Sequence, residues 1–314
     1  MTTDDKPWAV ILGASSGMGL ASARRLARGG FNLLLAHKDR EGTVETALRP
    51  HFDWIRDQGA ALATLNADLS EEDARAAFLE LARERAGRGG VRLLLHAIAA
   101  GSLKRVATAP DDAPRAAAIR SLAESLQLDP KRLREAINAA FHEKGCDALF
   151  TLADTRIPDR EGMLEEGDLA RTLAMMGSDF LLWGRALLAE GLLAKRSRLV
   201  ALSSEGSTLS WKGYAAIAAA KAALEALNRA MAVEMAPYGV RTCVIQAGIT
   251  DTPSGNAIPR FDLLKAQARL RNPFGRLTTP EDVAEVVYAL SLPLLDWTNG
   301  TVIRVDGGES VAGL

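Results

Sequence analysis

The feature that most constrains the fold is a glycine-rich segment near the start of the chain. Gly13, Gly17 and Gly19 lie between a short apolar run, residues 8–12, and a stretch with helical spacing, residues 20–28. Glycine allows a tight turn and a close approach of the backbone to a phosphate. The helix that follows offers free N–H groups to the same phosphate. A strand, a glycine loop and a helix in this order predict a dinucleotide-binding unit.

Apolar runs and helical patterns alternate along most of the chain. Strands are predicted at residues 8–12, 31–36, 61–65, 91–95, 199–203, 240–246 and 301–305. Helices are predicted at residues 20–28, 44–57, 71–85, 169–194, 214–235 and 280–290. This alternation predicts an α/β fold with a parallel, doubly wound sheet of the Rossmann type, in one domain that spans residues 1–314.

One stretch interrupts the alternation. Residues 114–126 have an alanine-rich helical pattern, and Asp129-Pro130 precedes a second predicted helix at residues 131–144. We interpret residues 105–163 as a helical hairpin inserted after the fourth strand. Its mixed charges leave two roles open, a solvated cap or a lid or docking surface beside the site.

The composition excludes several classes of protein. The net charge is −1 and only 5% of residues are aromatic, which argues against nucleic-acid binding. Cys146, Cys243, His96 and His142 have no metal-ligand spacing, and free cysteines fit a reducing compartment. The polar residues 1–6 are unlike a signal peptide, and no apolar run is as long as a membrane span. We expect a cytoplasmic protein without a metal or a membrane partner.

The end of the second predicted strand indicates which dinucleotide binds. An acidic residue there usually holds the ribose hydroxyls of NADH, but this chain has Ala36, His37 and Lys38. Lys38 could pair with the 2′-phosphate of NADPH, so NADPH is predicted over NADH. Asp39 lies one residue further and keeps NADH open, and an ordinary surface lysine is the alternative for Lys38. The phosphates are expected against the loop Gly13, Ser15, Ser16, Gly17, Met18 and Gly19.

Reactive side chains follow the fifth predicted strand. Ser204 ends that strand, and Tyr214 and Lys221 lie seven residues apart on the next predicted helix. Seven residues are about two helical turns, so both side chains should face one side. A neighbouring ammonium lowers the pKa of a phenol, which can then donate a proton or a strong hydrogen bond to a developing oxyanion. We predict Tyr214 and Lys221 as catalytic residues, assisted by Ser204.

Together these motifs resemble the short-chain dehydrogenase/reductase family. The matching segments cover nearly all of the chain outside the insertion: residues 13–19, 68–69, 221–228, 247–252, 273–277, 299–300 and 306–308. The resemblance implies that Asp68 and Leu69 border the adenine. It also implies that Gly248, Ile249 and Thr252 hold the nicotinamide carboxamide.

The spacing of the tyrosine and the lysine indicates a subgroup. Ordinary family members carry the tyrosine four residues before the lysine, where this chain has Ile217. Tyr-x6-Lys is similar to the divergent branch that contains enoyl-acyl-carrier-protein reductases, and residues 203–248 are especially similar to its NADPH-dependent type from bacilli. Residues 95–99 resemble the fourth strand of that branch, which implies cofactor contacts for Ala97, Ile98 and Ala99.

Three features depart from these patterns. The catalytic asparagine of ordinary members corresponds here to Met175 or Gly177, which weakens a ketone-reducing proton relay. Many enoyl reductases have a second tyrosine ten residues before the catalytic one, where this chain has Ser204, as in the bacillus-like type. The insertion has no counterpart in either pattern.

The resemblance implies an NADPH-dependent reductase of an enoyl thioester of coenzyme A or an acyl carrier protein, as in fatty acid biosynthesis. Tyr214 would bind the thioester carbonyl, and Lys221 would bind the nicotinamide ribose and keep Tyr214 acidic. A ketone reductase, for example of 3-oxoacyl substrates, and a non-catalytic NADPH-binding scaffold are the alternatives. Residues 302–314 resemble a family segment used in tetramer contacts, so a homo-oligomer, a dimer or a homotetramer, is expected.

Overall fold

A seven-stranded parallel sheet forms the centre of the computed structural model, which describes residues 6–108, 113–156 and 162–313. The strand order is β3-β2-β1-β4-β5-β6-β7. The strands are β1 (Trp8–Leu12), β2 (Asn32–His37), β3 (Leu62–Asn66), β4 (Val91–His96), β5 (Leu193–Ser204), β6 (Arg241–Ala247) and β7 (Thr301–Val305). The predicted parallel, doubly wound sheet is confirmed. The direction of winding reverses between β1 and β4, which is where such sheets open a ligand crevice.

Helices cover both faces of the sheet. They are α1 (Gly17–Arg28), α2 (Glu41–Thr43), α3 (Arg49–Asp57), α4 (Glu72–Ala86), α5 (Ala113–Leu126), α6 (Pro130–His142), α7 (Glu166–Leu173), α8 (Asp179–Ala189), α9 (Ala215–Glu234), α10 (Phe261–Arg271) and α11 (Pro280–Ser291). Neighbouring residues of β1 enter opposite cores: Ile11 packs with Leu26 and Val287, and Val10 packs with Phe180 and Trp183. Because both faces are covered, the strands read as unbroken apolar runs.

The largest differences from the sequence prediction lie around α8 and β5. The helix predicted at residues 169–194 is divided into α7 and α8 by a π turn at Ala174–Ser178, and α8 already ends at Ala189. Strand β5 then begins at Leu193, six residues earlier than predicted, because Gly191 turns the chain with a φ of +66° and Leu193 pairs with Val91. Helix α10 was not predicted.

The insertion leaves and re-enters the fold at one point. Arg105 and Met163 form a parallel bridge, and the Leu164 N–H donates a 2.7 Å hydrogen bond to the Arg105 carbonyl. Its two helices, α5 and α6, pack on α10 through a small apolar cluster that we call the hairpin core. Its buried members are Ile119, Ile137, Phe141, Ala153, Leu263 and Ala266. The role of the insertion as a lid or docking surface stays a prediction.

A buried histidine fills one end of β4. The Nε2 atom of His96 lies 3.0 Å from Oδ2 of Asp179 on α8, and the other carboxylate oxygen is paired with Arg75 on α4. Burial lowers the pKa of His96 to about 3, so the ring is neutral. This network joins β4, α4 and α8, in agreement with a structural role for His96. No helix within the described part of the chain is long and apolar enough to cross a membrane.

Replacing Phe78 by alanine should destabilise the fold strongly. Phe78 is 0% exposed and meets Trp183 edge-on, with ring centroids 5.6 Å apart. The cavity and the lost contacts should lower the free energy of unfolding by about 3–5 kcal/mol, measured by urea denaturation. Phe274→Ala is the matched control, because Phe274 is 76% exposed. A similar loss in both variants would contradict this packing.

Candidate active site

The glycine-rich loop is fixed by close contacts at Gly13 and Gly19, where there is no room for a side chain. A Cβ atom at Gly13 would lie 2.7 Å from the Ala97 carbonyl oxygen, and one at Gly19 would lie 2.0 Å from the Gly13 oxygen. Gly13 also has a φ of +86°, which disfavours other residues. The start of α1 is thereby held against β4. Thr252 closes the loop from the other side, since a Cβ at Gly17 would lie 3.1 Å from its methyl carbon.

A cavity of about 1360 Å³ opens beyond the carboxyl ends of the central strands. Every site residue predicted from the sequence lines this cavity. They are Gly13, Ser15, Ser16, Gly17, Met18, Gly19, His37, Lys38, Asp68, Leu69, Ala97, Ile98, Ala99, Ser204, Tyr214, Lys221, Gly248, Ile249 and Thr252. Residues from seven separate chain segments therefore meet at one edge of the sheet.

A charged pair lies where β2 ends. Nζ of Lys38 is 2.5 Å from Oδ2 of Asp68, and the lysine side chain is 71% exposed. The hydrogen bond from Lys38 lowers the pKa of Asp68 to about 2. The Asp39 carboxylate is engaged elsewhere, because its Oδ2 lies 3.0 Å from Nδ1 of buried His37. The cation therefore lines the cavity, while the neighbouring carboxylate is held by an imidazole.

Tyr214 is the N-cap residue of α9. Its hydroxyl lies 3.4 Å from Oγ of Ser204, a long contact for two hydroxyls, and its ring meets Trp211 edge-on. Its side chain packs with Leu103, Met176 and Ile217 in one buried cluster. Burial raises the pKa of the Tyr214 phenol above its usual value. The phenol is therefore a neutral hydrogen-bond donor that faces a largely apolar wall.

Lys221 lies on the same helix, inside the cavity. Its ammonium donates a 2.7 Å hydrogen bond to the Leu202 carbonyl, and burial lowers its pKa to about 8. The expectation that Lys221 keeps Tyr214 acidic stays a prediction; in this structure desolvation raises the pKa of the phenol. The backbone carbonyl fixes the direction of the ammonium within the site.

The fourth-helix position is apolar. Both residues considered for it, Met175 and Gly177, lie in the π turn, and a Cβ at Gly177 would lie 3.2 Å from the Ala220 carbonyl oxygen. Met175 and Met176 line the cavity. A thioether carries no proton, so Met175 and Met176 cannot relay one.

Sequence reasoning missed two parts of the wall. One is apolar and is contributed by Leu103, Ile258 and Phe261. The other is charged: Lys104 lies 2.7 Å and Arg171 lies 2.9 Å from the oxygens of Asp168 on α7. The sequence did contain a signal for most of these residues. Leu103 and Lys104 follow β4, Ile258 and Phe261 follow β6, and both strands end at the edge of the sheet where the cavity opens.

Comparisons with known proteins agree with this architecture. The short chain dehydrogenase model matches residues 7–123, and the Enoyl-(Acyl carrier protein) reductase model matches residues 164–310. The chain belongs to the short-chain dehydrogenase/reductase family and is an oxidoreductase.

Individual relatives are distant. A cis-4-hydroxycyclohexanecarboxylate dehydrogenase from Sinomonas cyclohexanicum is 25% identical over 96% of this chain and 95% of its own length. The NADH-dependent enoyl-[acyl-carrier-protein] reductase of Escherichia coli is 35% identical over 41% of this chain and 49% of its own. The crystal structure of the corresponding Aquifex aeolicus enzyme has a TM-score of 0.68 at 20% identity, covering 99% of both chains, which supports the fold.

Replacing Gly19 by alanine should abolish tight cofactor binding. The new methyl group would lie 2.0 Å from the Gly13 oxygen, so the loop must open. We expect the dissociation constant for NADPH, measured by its fluorescence, to rise at least tenfold. Gly42→Ala is the control, because a Cβ there meets nothing within 4 Å. Equal affinities of both variants would argue against phosphate binding at this loop.

Proposed function

We propose that this protein is an NADPH-dependent reductase that saturates the carbon–carbon double bond of an enoyl thioester. The observation that carries the proposal is the placement of Tyr214 at the start of α9, seven residues before Lys221 in one cavity, with Ile217 buried at the position four residues before the lysine. The enoyl reductase family model and the Escherichia coli relative support it.

The cofactor side of the cavity fits a dinucleotide phosphate. Gly13 and Gly19 form a cradle that any Cβ would fill, and Lys38 lies where the adenosine ribose is expected. Lys38 would pair with a 2′-phosphate in place of Asp68. Asp39, which would favour NADH, is engaged by His37. These contacts favour NADPH, although the Escherichia coli relative is named for NADH.

The residues divide the chemistry between them. NADPH, held by the glycine-rich loop, Lys38 and Lys221, would supply the hydride for the β-carbon, and a proton from water would complete the saturation at the α-carbon. Negative charge then develops on the thioester oxygen, several bonds away, so the oxyanion donor must stand apart from the hydride-accepting carbon. Tyr214 donates its O–H to that oxygen, and Ser204 assists from its position beside the phenol, where the two hydroxyl oxygens are 3.4 Å apart. Lys221 is held by the Leu202 carbonyl and directs its remaining protons to the cofactor ribose.

A second function is favoured by one observation. The Sinomonas relative, which matches almost the full chain, is named a cis-4-hydroxycyclohexanecarboxylate dehydrogenase. Tyr214 could equally donate to a ketone oxygen. The apolar wall at Met175 and Met176 fits either substrate.

A substrate comparison separates these functions. Purified protein with NADPH should reduce crotonyl-coenzyme A faster than acetoacetyl-coenzyme A, followed by loss of absorbance of NADPH. Turnover of the ketone alone, or oxidation of cis-4-hydroxycyclohexanecarboxylate with NADP⁺, would favour the second function. Tight NADPH binding without turnover of any of these would favour a scaffold.

Tyr214→Phe should lower kcat by about 100-fold or more, because the oxyanion loses its hydrogen-bond donor. The dissociation constant for NADPH should stay within about twofold, since the phenyl ring keeps the packing against Leu103 and Ile217. Tyr238→Phe is the control, because Tyr238 is 63% exposed. Unchanged turnover by the Tyr214 variant would remove the proposed role of the phenol.

Lys38→Ala should shift the cofactor preference. Loss of the cation should weaken NADPH binding by roughly tenfold while NADH binding changes little, because only NADPH carries the 2′-phosphate. Dissociation constants for both cofactors provide the measurement. Lys195→Ala serves as the control, since this exposed lysine lies near the start of β5, far from the carboxyl edge. An equal loss of affinity for NADPH and NADH would mean that Lys38 does not contact the 2′-phosphate.

A further inference from the structure

Helix α10 ends in a buried ionic contact. Nη2 of Arg271 donates a hydrogen bond of 2.6 Å to Oε1 of Glu205 and another of 2.9 Å to Oε1 of Glu309. The side chains of Arg271, Glu205 and Glu309 are 18%, 9% and 1% exposed. One guanidinium therefore joins three segments that are distant in the sequence.

Each carboxylate adjoins or contacts a segment of the cavity wall. Glu205 directly follows Ser204, and the next residue, Gly206, packs on Tyr214 so closely that a Cβ would lie 2.4 Å from the ring. Oε2 of Glu309 accepts a 3.2 Å hydrogen bond from the Ile249 N–H. A Cβ at Gly248 would lie 2.9 Å from that same oxygen. The contacts of Arg271 therefore link the turn that follows Ser204 to the loop that contains Gly248 and Ile249.

The arrangement is not the one that stability alone would select. Two carboxylates share one cation in a buried place, and buried ion pairs contribute little net stability. Oε2 of Glu205 and Nε of Arg271 have no hydrogen-bond partner among the residues that the structure describes. Burial, together with the negative charge of Glu205, raises the pKa of Glu309. Such a network fixes geometry at the expense of stability.

The insertion holds the same helix from its outer side. Arg269, two residues before Arg271, donates two hydrogen bonds of 2.6 Å to the carboxylate oxygens of Asp147. Leu263 and Ala266 pack into the hairpin core. At its other end α10 begins with Phe261, which lines the cavity. The helix is therefore fixed between the insertion and the reactive wall.

We propose that Arg271 is a positioning residue, which holds the Ser204 turn and the Ile249 loop at the separation that the reaction requires, and that the insertion keeps its helix in place. The proposal rests on the proposed function for the location of the reacting groups. It does not depend on which carbonyl compound is reduced.

The decisive variant is Arg271→Met. Without the guanidinium, Glu205 and Glu309 face each other, with the Asp306 carboxylate three residues away turned to the N–H groups of Gly308 and Ser310. Their repulsion should displace both segments and lower kcat at pH 8 by about 100-fold. As the pH falls, one carboxylate takes up a proton and the repulsion disappears. The kcat of this variant should therefore rise toward acid pH relative to that of the wild type.

A second substitution separates positioning from general damage. Arg271→Met combined with Glu309→Gln removes one of the opposed charges and keeps an oxygen for the Ile249 N–H. It should recover at least tenfold of the lost kcat at pH 8 and abolish the pH dependence. Arg276→Met is the control, because Arg276 pairs with Asp282 at the surface and is 57% exposed. If Arg271→Met fails to fold, Glu309→Gln and Glu309→Ala are compared instead, and only the alanine variant should lose turnover.

The outcomes that overturn the proposal are distinct. A wild-type kcat for Arg271→Met, or a loss that neither acid pH nor the second substitution relieves, assigns Arg271 no positioning role. Asp147→Ala should also lower kcat, by a few-fold. An unchanged kcat in this variant would mean that the insertion does not hold α10 in the position that the reaction requires. The assays use whichever substrate the wild type turns over. If the wild type turns over no substrate, the same pH dependence is measured in the dissociation constant of the Arg271→Met variant for NADPH. Failure of the proposed function is then distinguished from failure of the Arg271 proposal.

Discussion

The close contact between two backbones, at Gly13 against Ala97, is the constraint on which the site depends. It brings the first loop of the sheet directly against the end of β4, at the point where the winding reverses. Any side chain at Gly13 or Gly19 would force these segments apart. The start of α1, the residues after β4 and the loop after β6 then share one cavity, so the glycine-rich loop and the predicted catalytic residues lie at a common edge of the sheet.

The chemistry of the wall follows from the location of one phenol. Tyr214 caps α9 instead of lying inside it, and the position one turn before Lys221 is filled by Ile217. The phenol consequently sits in an apolar cluster that raises its pKa and keeps it protonated. A protonated phenol can donate a hydrogen bond to a developing oxyanion, whereas a phenolate cannot, and a low dielectric strengthens that bond.

Much of the fold could be predicted because the strands are buried on both faces and because Gly13 and Gly19 occupy positions where no side chain fits. The site residues were also predictable, since parallel strands deliver their ends to one edge. The early start of β5 was not, because it depends on pairing with β4. The hydrogen bond from Lys221 to the Leu202 carbonyl was not predictable either, because helical spacing gives the direction of a side chain but not the group it meets.

The narrow neck of the insertion has a consequence for how the molecule can vary. Because Arg105 and Met163 are paired, the segment between them begins and ends at the same place. Its length therefore has no effect on the sheet. Its outer surface can change sequence or size without strain in the strands. Among the residues that the structure describes, the inner surface of the insertion packs on α10 through the hairpin core. Substitutions on that surface therefore act on the rest of the fold through this helix.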